Sequence, residues 1–290
     1  MRYAAPATVD EAQTLLSDNP GSQVFAGATD LVPQIRAGRP SPSMVVDLKR
    51  IDRLTAVTHE GGQWTIGAAT PTADLTRNAE FTAAFPGLSE AAGLIGSDQI
   101  QNRSSLGGNL ANASPAADSV PALIANAGQA VIASGDGTRT VPASEIATGP
   151  GRTSLAEGEF IIEFTLDDPP AGTGDAYLRM IPRTEMDIAI VGAAVRLTIA
   201  DDTVSEATVV LGAVAPTAVS VPDAAAALVG ASLDGGGFDD ATLTAVADAA
   251  SAACNPIDDK RGTIAYRQRV AGVLAKRAAA VAAERAQNGA

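Results

Sequence analysis

Two short runs of small and polar residues hold the side chains best placed for chemistry. One is Ala26-Gly27-Ala28-Thr29-Asp30-Leu31; the other is Ser105-Leu106-Gly107-Gly108-Asn109-Leu110, continued by Ala113, Ser114, Pro115 and Asp118. Neither run pairs a nucleophile with a base. What they offer is backbone: residues with little or no side chain let a ligand approach N–H groups, and successive N–H groups in a turn neutralise phosphate without a lysine. Two such runs, at 27 and 107, suit a long ligand with contacts along its length, such as a dinucleotide. Neither matches Gly-x-Gly-x-x-Gly between a strand and a helix, so a Rossmann site has little support.

The rest of the composition narrows the chemistry. Cys254 is the only cysteine, which excludes an intrachain disulfide and an iron–sulfur cluster held by four thiolates of this chain. His59, near a hairpin, is the only histidine and reads as a surface or structural residue; a histidine metal site is poorly supported, and no metal ligands are expected. Demanding redox chemistry therefore falls to an organic cofactor or a partner chain. With 33 Asp+Glu against 20 Lys+Arg the net charge is -13, which disfavours nucleic acid. Apolar windows are broken well before the roughly 20 residues of a membrane span. Thr8, Asp10 and Glu11 interrupt any signal-peptide core, so a cytoplasmic protein is expected.

The elements that must position the two runs are short. Thr8 and Glu11 form a capping-box pattern before a helix over residues 9–18, with Ala12, Leu15 and Leu16 on its apolar side, and Asn19-Pro20-Gly21 ends it. Val24-Phe25 reads as a strand entering the first run, and residues 44–48 as a buried strand. Gly61-Gly62 joins strands at 56–58 and 63–68, with Trp64 and Ile66 on one face. Leu88, Ala91, Ala92 and Ile95 are spaced for a helix that delivers the chain to the second run. That run reads as two turns, Gly107-Gly108-Asn109 and Ala113-Ser114-Pro115, before a helix over 120–127 and strands at 129–134, 138–141 and 160–166. Asp167-Asp168-Pro169-Pro170, with Gly172 and Gly174, marks a domain boundary. Beyond it, strands at 176–180, 189–199 and 204–212 precede helices at 221–229, 241–253 and 264–285. This is the grammar of an α+β unit, an antiparallel sheet with helices on one side.

In this order and spacing, the chain resembles the FAD-binding medium subunit of the molybdenum hydroxylases. The resemblance rests on Ala26 to Leu31, the segment from Ile95-Gly96 through Asp118, Arg183 followed by Asp187-Ile188-Ala189-Ile190-Val191-Gly192, and the late Tyr266-Arg267 pair. It implies an α+β fold in two parts. A two-part FAD-binding domain of the vanillyl-alcohol-oxidase type would cover residues 1–172, with subdomains at 1–55 and 56–172, and a C-terminal domain of the carbon monoxide dehydrogenase flavoprotein type would cover 173–290.

The roles it implies follow residue by residue. Ala26, Gly27, Ala28, Thr29, Asp30 and Leu31 would hold the FAD pyrophosphate. Ser105, Gly107, Gly108 and Asn109 would form the second phosphate and ribityl wall, continued by Ala113, Ser114 and Asp118, the last reaching a ribose hydroxyl. Val32, Leu106 or Leu110 would pack against a ring, and Arg183 with Asp187 would open a C-terminal domain that closes over the flavin. Each has a plainer alternative: Asn109 and Ser114 bonding their own loops, Asp118 capping the helix from Ser119, Arg183 and Asp187 forming an internal ion pair. No catalytic side chain is implied. Ala28 stands where a second glycine is common, which implies ordinary backbone there; Gln101, Ser104 and Asn112 replace common Arg, Gly and His. The family's molybdenum cofactor and 2Fe-2S clusters lie in a large and a small partner subunit, in a dimer of heterotrimers. FAD in this chain would pass electrons to NAD+, a quinone or another acceptor. The rival readings are a self-contained flavin oxidase, with His59 or Tyr177 as proton acceptor, and a flavin-free scaffold.

Overall fold

The computed structural model describes residues 1–233 and 237–289. Its first layer is a parallel three-stranded sheet with Met44–Asp47 between Arg2–Ala4 and Gln23–Phe25. A central parallel strand is covered on both faces, and all four of its residues are buried. The helix Val9–Asp18 packs Ala12 into the same core as Met44 and Val46. Its entry is the expected box in a shifted form: Thr8 Oγ1 accepts from the Glu11 amide, while Glu11 Oε2 accepts from the Ala7 amide.

The second layer is a five-stranded antiparallel sheet in the order Val57–Glu60, Gln63–Gly67, Phe160–Asp167, Gln129–Ser134, Gly137–Pro142. Phe160–Asp167 enters late in the chain and separates two hairpins. Between those hairpins runs a series of short helices, Thr72–Arg77, Ala79–Ala84, Pro86–Gly93, Asp98–Gln101, Leu106–Ala111 and Ser119–Ala125. One correction concerns the second small-residue run: Gly107-Gly108-Asn109 is not a turn but lies inside Leu106–Ala111, where Ser105 Oγ caps the helix by accepting from the Gly108 amide at 3.1 Å.

The third layer is an antiparallel meander, Thr173–Met180, Val191–Ala200, Thr203–Gly212 and Val219–Ser220. Asp201 and Asp202 both take positive φ, 49° and 56°, the backbone of a tight hairpin whose twist matches its strands. Alternation along Val191–Ala200 decides what each face meets. Ala193, Val195 and Leu197 pack with the helices Pro222–Leu228, Asp240–Ala252 and Ile264–Asn288, whereas Ala194 packs with the helices of the preceding layer. The alanine-rich terminal helix lies close to its sheet because most of its buried positions are alanine; a Cβ on Gly174 would sit 2.3 Å from the Ala282 carbonyl oxygen.

The seam between the second and third layers combines apolar packing of Ala194 and Val210 with a bonded polar cluster. Asp175, 4% exposed, accepts from the Gly87 and Leu88 amides at 2.8 and 3.2 Å and from Asn126 Nδ2 at 2.8 Å. Burial raises its carboxyl despite these donors and nearby Arg285. Arg285 donates to the Asp175 carbonyl at 2.8 Å and pairs with Glu90.

Candidate cofactor cleft

Between the first and second layers lies a cleft of about 430 Å³, walled by residues 22–31, 104–105 and 107–109, and the rim from 151 to 161. Its first wall is the turn after Gln23–Phe25. The amides of residues 27–30 have no hydrogen-bond acceptor among the described residues. Two of the turn's carbonyls are occupied: Ala28 O accepts from Val32 N at 3.1 Å and Asp30 O from Gln34 N at 3.0 Å, starting the helix Leu31–Arg36. Ala28 is in the left-handed region at φ 58°, so the expectation of ordinary backbone there is corrected; the bond from Val32 holds a conformation that glycine would adopt more readily. Desolvation raises the Asp30 carboxyl, although the residue as a whole remains exposed.

The second wall is the start of Leu106–Ala111. A Cβ on Gly27 would lie 1.8 Å from the Arg103 carbonyl oxygen, and one on Gly107 2.4 Å from that of Ala68. Gly27 lets the two walls meet, and Gly107 lets the second wall pack on the end of the strand Gln63–Gly67. Gly108 has another function: a Cβ there would meet only Ser105 Oγ, at 3.3 Å, and the position lines the cleft. A side chain at 108 would occupy space that a ligand can use.

The structure brings together Ala26, Gly27, Ala28, Thr29, Asp30, Leu31, Ser105, Gly107, Gly108 and Asn109 as cleft wall. It places the other expected residues elsewhere. Leu106 and Leu110 are fully buried in the helical core, and Val32 is 42% exposed. Ala113 is buried with φ 48°, and Ser114 Oγ accepts from the Ala116 amide within its own loop. The cap of Ser119–Ala125 comes from Asn109, whose Oδ1 accepts from the Ser119 amide at 3.2 Å and hydroxyl at 2.7 Å; Asp118 makes no capping bond. Asp118 instead faces the third layer, accepting from Tyr177 Oη at 3.0 Å and Arg179 Nη1 at 2.8 Å. Burial pushes its carboxyl up to about 6, against the pull of Arg179 and Tyr177. Arg183 and Asp187 form an ion pair at 2.9 Å, with Arg261 on the second carboxylate oxygen at 3.2 Å; neither expected residue lines the cleft.

Several wall residues escaped the sequence reading. Gln34 Nε2 donates to Asn112 Oδ1 at 2.9 Å, tying the two walls across 78 positions, and Arg39 Nη1 donates to Gln34 Oε1 at 3.0 Å. Arg39 is the only Lys or Arg of the wall among the described residues. The one available signal was its position a few residues beyond the first turn. On the rim, Glu159 takes a two-pronged bond from Arg139 at 2.8 and 2.7 Å and another from the Ala156 amide; Arg139 holds its carboxyl at about 2.

The two proton acceptors considered for a self-contained oxidase lie outside this cleft wall. His59 stacks on Trp64 with centroids 4.4 Å apart and bonds Asp168, while the Tyr177 phenol is buried against Asp118. Among the described residues no group of three or more His, Cys, Asp or Glu is arranged to hold a metal. Among the described residues no helix is long and apolar enough to cross a membrane.

Comparison with known proteins agrees with this architecture. Residues 1–167 match the FAD binding domain in molybdopterin dehydrogenase, and residues 176–282 the CO dehydrogenase flavoprotein C-terminal domain. The carbon monoxide dehydrogenase medium chain of Hydrogenophaga pseudoflava is 35% identical over 277 residues, covering 95% of this chain and 94% of that one. The xanthine dehydrogenase FAD-binding subunit of Escherichia coli O157:H7 is 33% identical over 220 residues, 75% of each chain. Carbon monoxide dehydrogenase from Hydrogenophaga pseudoflava superposes with a TM-score of 0.92 at 36% identity over 98% of both chains. Quinoline 2-oxidoreductase from Pseudomonas putida 86 superposes at 0.91, with 26% identity over 99% of this chain and 98% of that one. The chain belongs to the family of FAD-binding medium subunits of the molybdenum hydroxylases.

Proposed function

We propose that this chain binds FAD without a covalent link and serves as the electron-transfer subunit of a molybdenum-containing hydroxylase. The observation that carries the reading is the row of four acceptor-free amides at residues 27–30, on residues that line a cleft whose opposite wall is opened by Gly108. Backbone N–H groups in a turn are suited to a diphosphate, and Arg39 adds one positive charge to a wall in an otherwise acidic chain. FAD held there would supply a carrier able to take electrons one at a time and give them up as a pair, which is the chemistry needed between an iron–sulfur relay and a two-electron acceptor.

The chain's own contribution is to bind and orient. Residues 26–31 take the diphosphate, and Ser105, Gly107, Gly108 and Asn109 form the facing wall. Ala113, Ser114, Asp118, Arg183 and Asp187 belong, in this reading, to the scaffold that sets the C-terminal domain against the flavin side. The division falls at residue 172, with a further one near 55. With one cysteine, this chain lacks the thiolates for the clusters, so the electrons arrive from a small subunit with two 2Fe-2S clusters. The hydroxylation takes place in a large molybdenum-cofactor subunit. The assembly is a cytoplasmic dimer of heterotrimers, delivering electrons to NAD+, a quinone or another acceptor.

The test is to tag this chain, purify the assembled complex, and compare it with the isolated chain. The reading expects FAD on the complex and no substrate hydroxylation by the isolated chain. Hydroxylase turnover by the pure chain would refute it.

A further inference from the structure

Lys49 stands beside the first turn, outside the cleft wall. Its Nζ donates to the Ala26 carbonyl oxygen at 2.7 Å and to Asp47 Oδ1 at 2.5 Å, and lies 4.4 Å from the centroid of the Phe25 ring. Asp47 is itself held in place, accepting from the Tyr3 hydroxyl at 2.9 Å and the Lys49 amide at 3.1 Å. Burial tends to raise the Asp47 carboxyl, but the bonds from Lys49 and Tyr3 outweigh it and leave it below its ordinary value. The ammonium is thus fixed from three sides.

A trans peptide points its C=O and N–H in opposite directions, and no cis bond occurs among the described residues. The bond from Lys49 to Ala26 O therefore turns the Gly27 N–H away from Lys49. On the side where Gly27 would carry a side chain, the Arg103 carbonyl oxygen closes the space. The Gly27 amide has no acceptor among the described residues, and Gly27 lines the cleft.

From this geometry we infer that Lys49 is a positioning residue: by holding the Ala26 carbonyl it aims the Gly27 amide into the cleft, where a diphosphate-bearing ligand accepts its hydrogen bond. The inference rests on the proposed FAD site and adds a residue outside the wall to it. Lys49 acts as a donor and not as a phosphate-binding charge, because Asp47 neutralises it and it does not line the cleft. The salt dependence of ligand binding is therefore the same with and without it.

The experiment uses the complex purified through this chain and stripped of flavin, with FAD titrated back and ADP or adenosine as competitor. Lys49→Met, which keeps the length and removes the donor, weakens FAD and ADP by about tenfold, the scale of one hydrogen bond to a charged acceptor. Adenosine competition stays at the wild-type value, while the melting temperature of the stripped complex falls, because the buried Asp47 carboxylate loses its counter-ion. Lys49→Arg, which keeps a donor, retains the preference for ADP over adenosine and gives a second arm should Lys49→Met not assemble. Wild-type FAD affinity in Lys49→Met, equal weakening of ADP and adenosine, or loss of the ADP preference in Lys49→Arg overturns the inference while the FAD site stands. If the wild-type complex itself takes up no FAD, the proposed function fails and the inference with it.

Discussion

Gly27 is in direct backbone contact with Arg103: a Cβ at position 27 would lie 1.8 Å from the Arg103 carbonyl oxygen. The two small-residue runs, distant in sequence, are thus one structure, and the absence of a side chain at Gly27 is what joins them. Gly27→Ala forces the walls apart, with a stability loss of about 1–3 kcal/mol by overpacking. Urea unfolding of wild type and variant measures the loss, and FAD content of the purified protein falls with it. An alanine variant of unchanged stability and flavin content would show that the walls are free to separate.

Asp118 and Arg179 form a buried pair at 2.8 Å, with side chains 11% and 6% exposed. Asp118→Ala strands the Arg179 guanidinium between the second and third layers, at a cost of about 3–5 kcal/mol. Thermal unfolding at neutral pH checks this, with Asp118→Asn as the milder variant because it preserves hydrogen bonding. If Asp118→Ala melts with wild type, the pair is not what couples those layers.

Acid should loosen the cleft rim. Arg139 holds the Glu159 carboxyl at about 2 against an ordinary 4.5, so its stabilisation is complete above 4.5 and disappears as pH falls towards 2. Because Arg139 is 39% exposed, the contribution is about 1 kcal/mol. The difference in stability between wild type and Glu159→Gln should shrink across that window. A difference independent of pH there would assign the effect to packing and not to the ion pair.

Asn109 caps the helix Ser119–Ala125 from ten residues upstream. Asn109→Ala removes that acceptor and costs about 0.5–2 kcal/mol, whereas Asn109→Asp keeps it and adds a charge favourable at a helix start. Denaturant midpoints of the two variants should therefore move apart, and coincident midpoints would contradict the cap.

Elements governed by local signals were legible before the fold was known. Thr8 with Glu11 placed the start of the helix Val9–Asp18 and Asn19-Pro20-Gly21 its end, and the strand expected at 129–134 is Gln129–Ser134. What stayed hidden was set by tertiary contacts. Two adjacent glycines cost a helix about 1 kcal/mol each, so Leu106–Ala111 reads locally as a turn; the Ser105 cap and the packing of Gly107 on Ala68 override that cost. The positive φ of Ala28 ran against its residue type for the same reason, its carbonyl being bound by Val32. The small-residue runs announced the cleft, but its rim at residues 151–161 and the link between Gln34 and Asn112 come from pairings that no local pattern encodes.

The central claim is that this chain carries the flavin of its complex, and flavin content is its most direct measurement. The complex is purified through a tag on this chain, its absorption spectrum is recorded, and the released nucleotide is identified by mass against the amount of this chain. The account predicts one FAD for each copy, with a proportionate loss in Gly27→Ala. A complex that contains this chain but no flavin, or whose flavin stays with another subunit when the chains are separated, would contradict it.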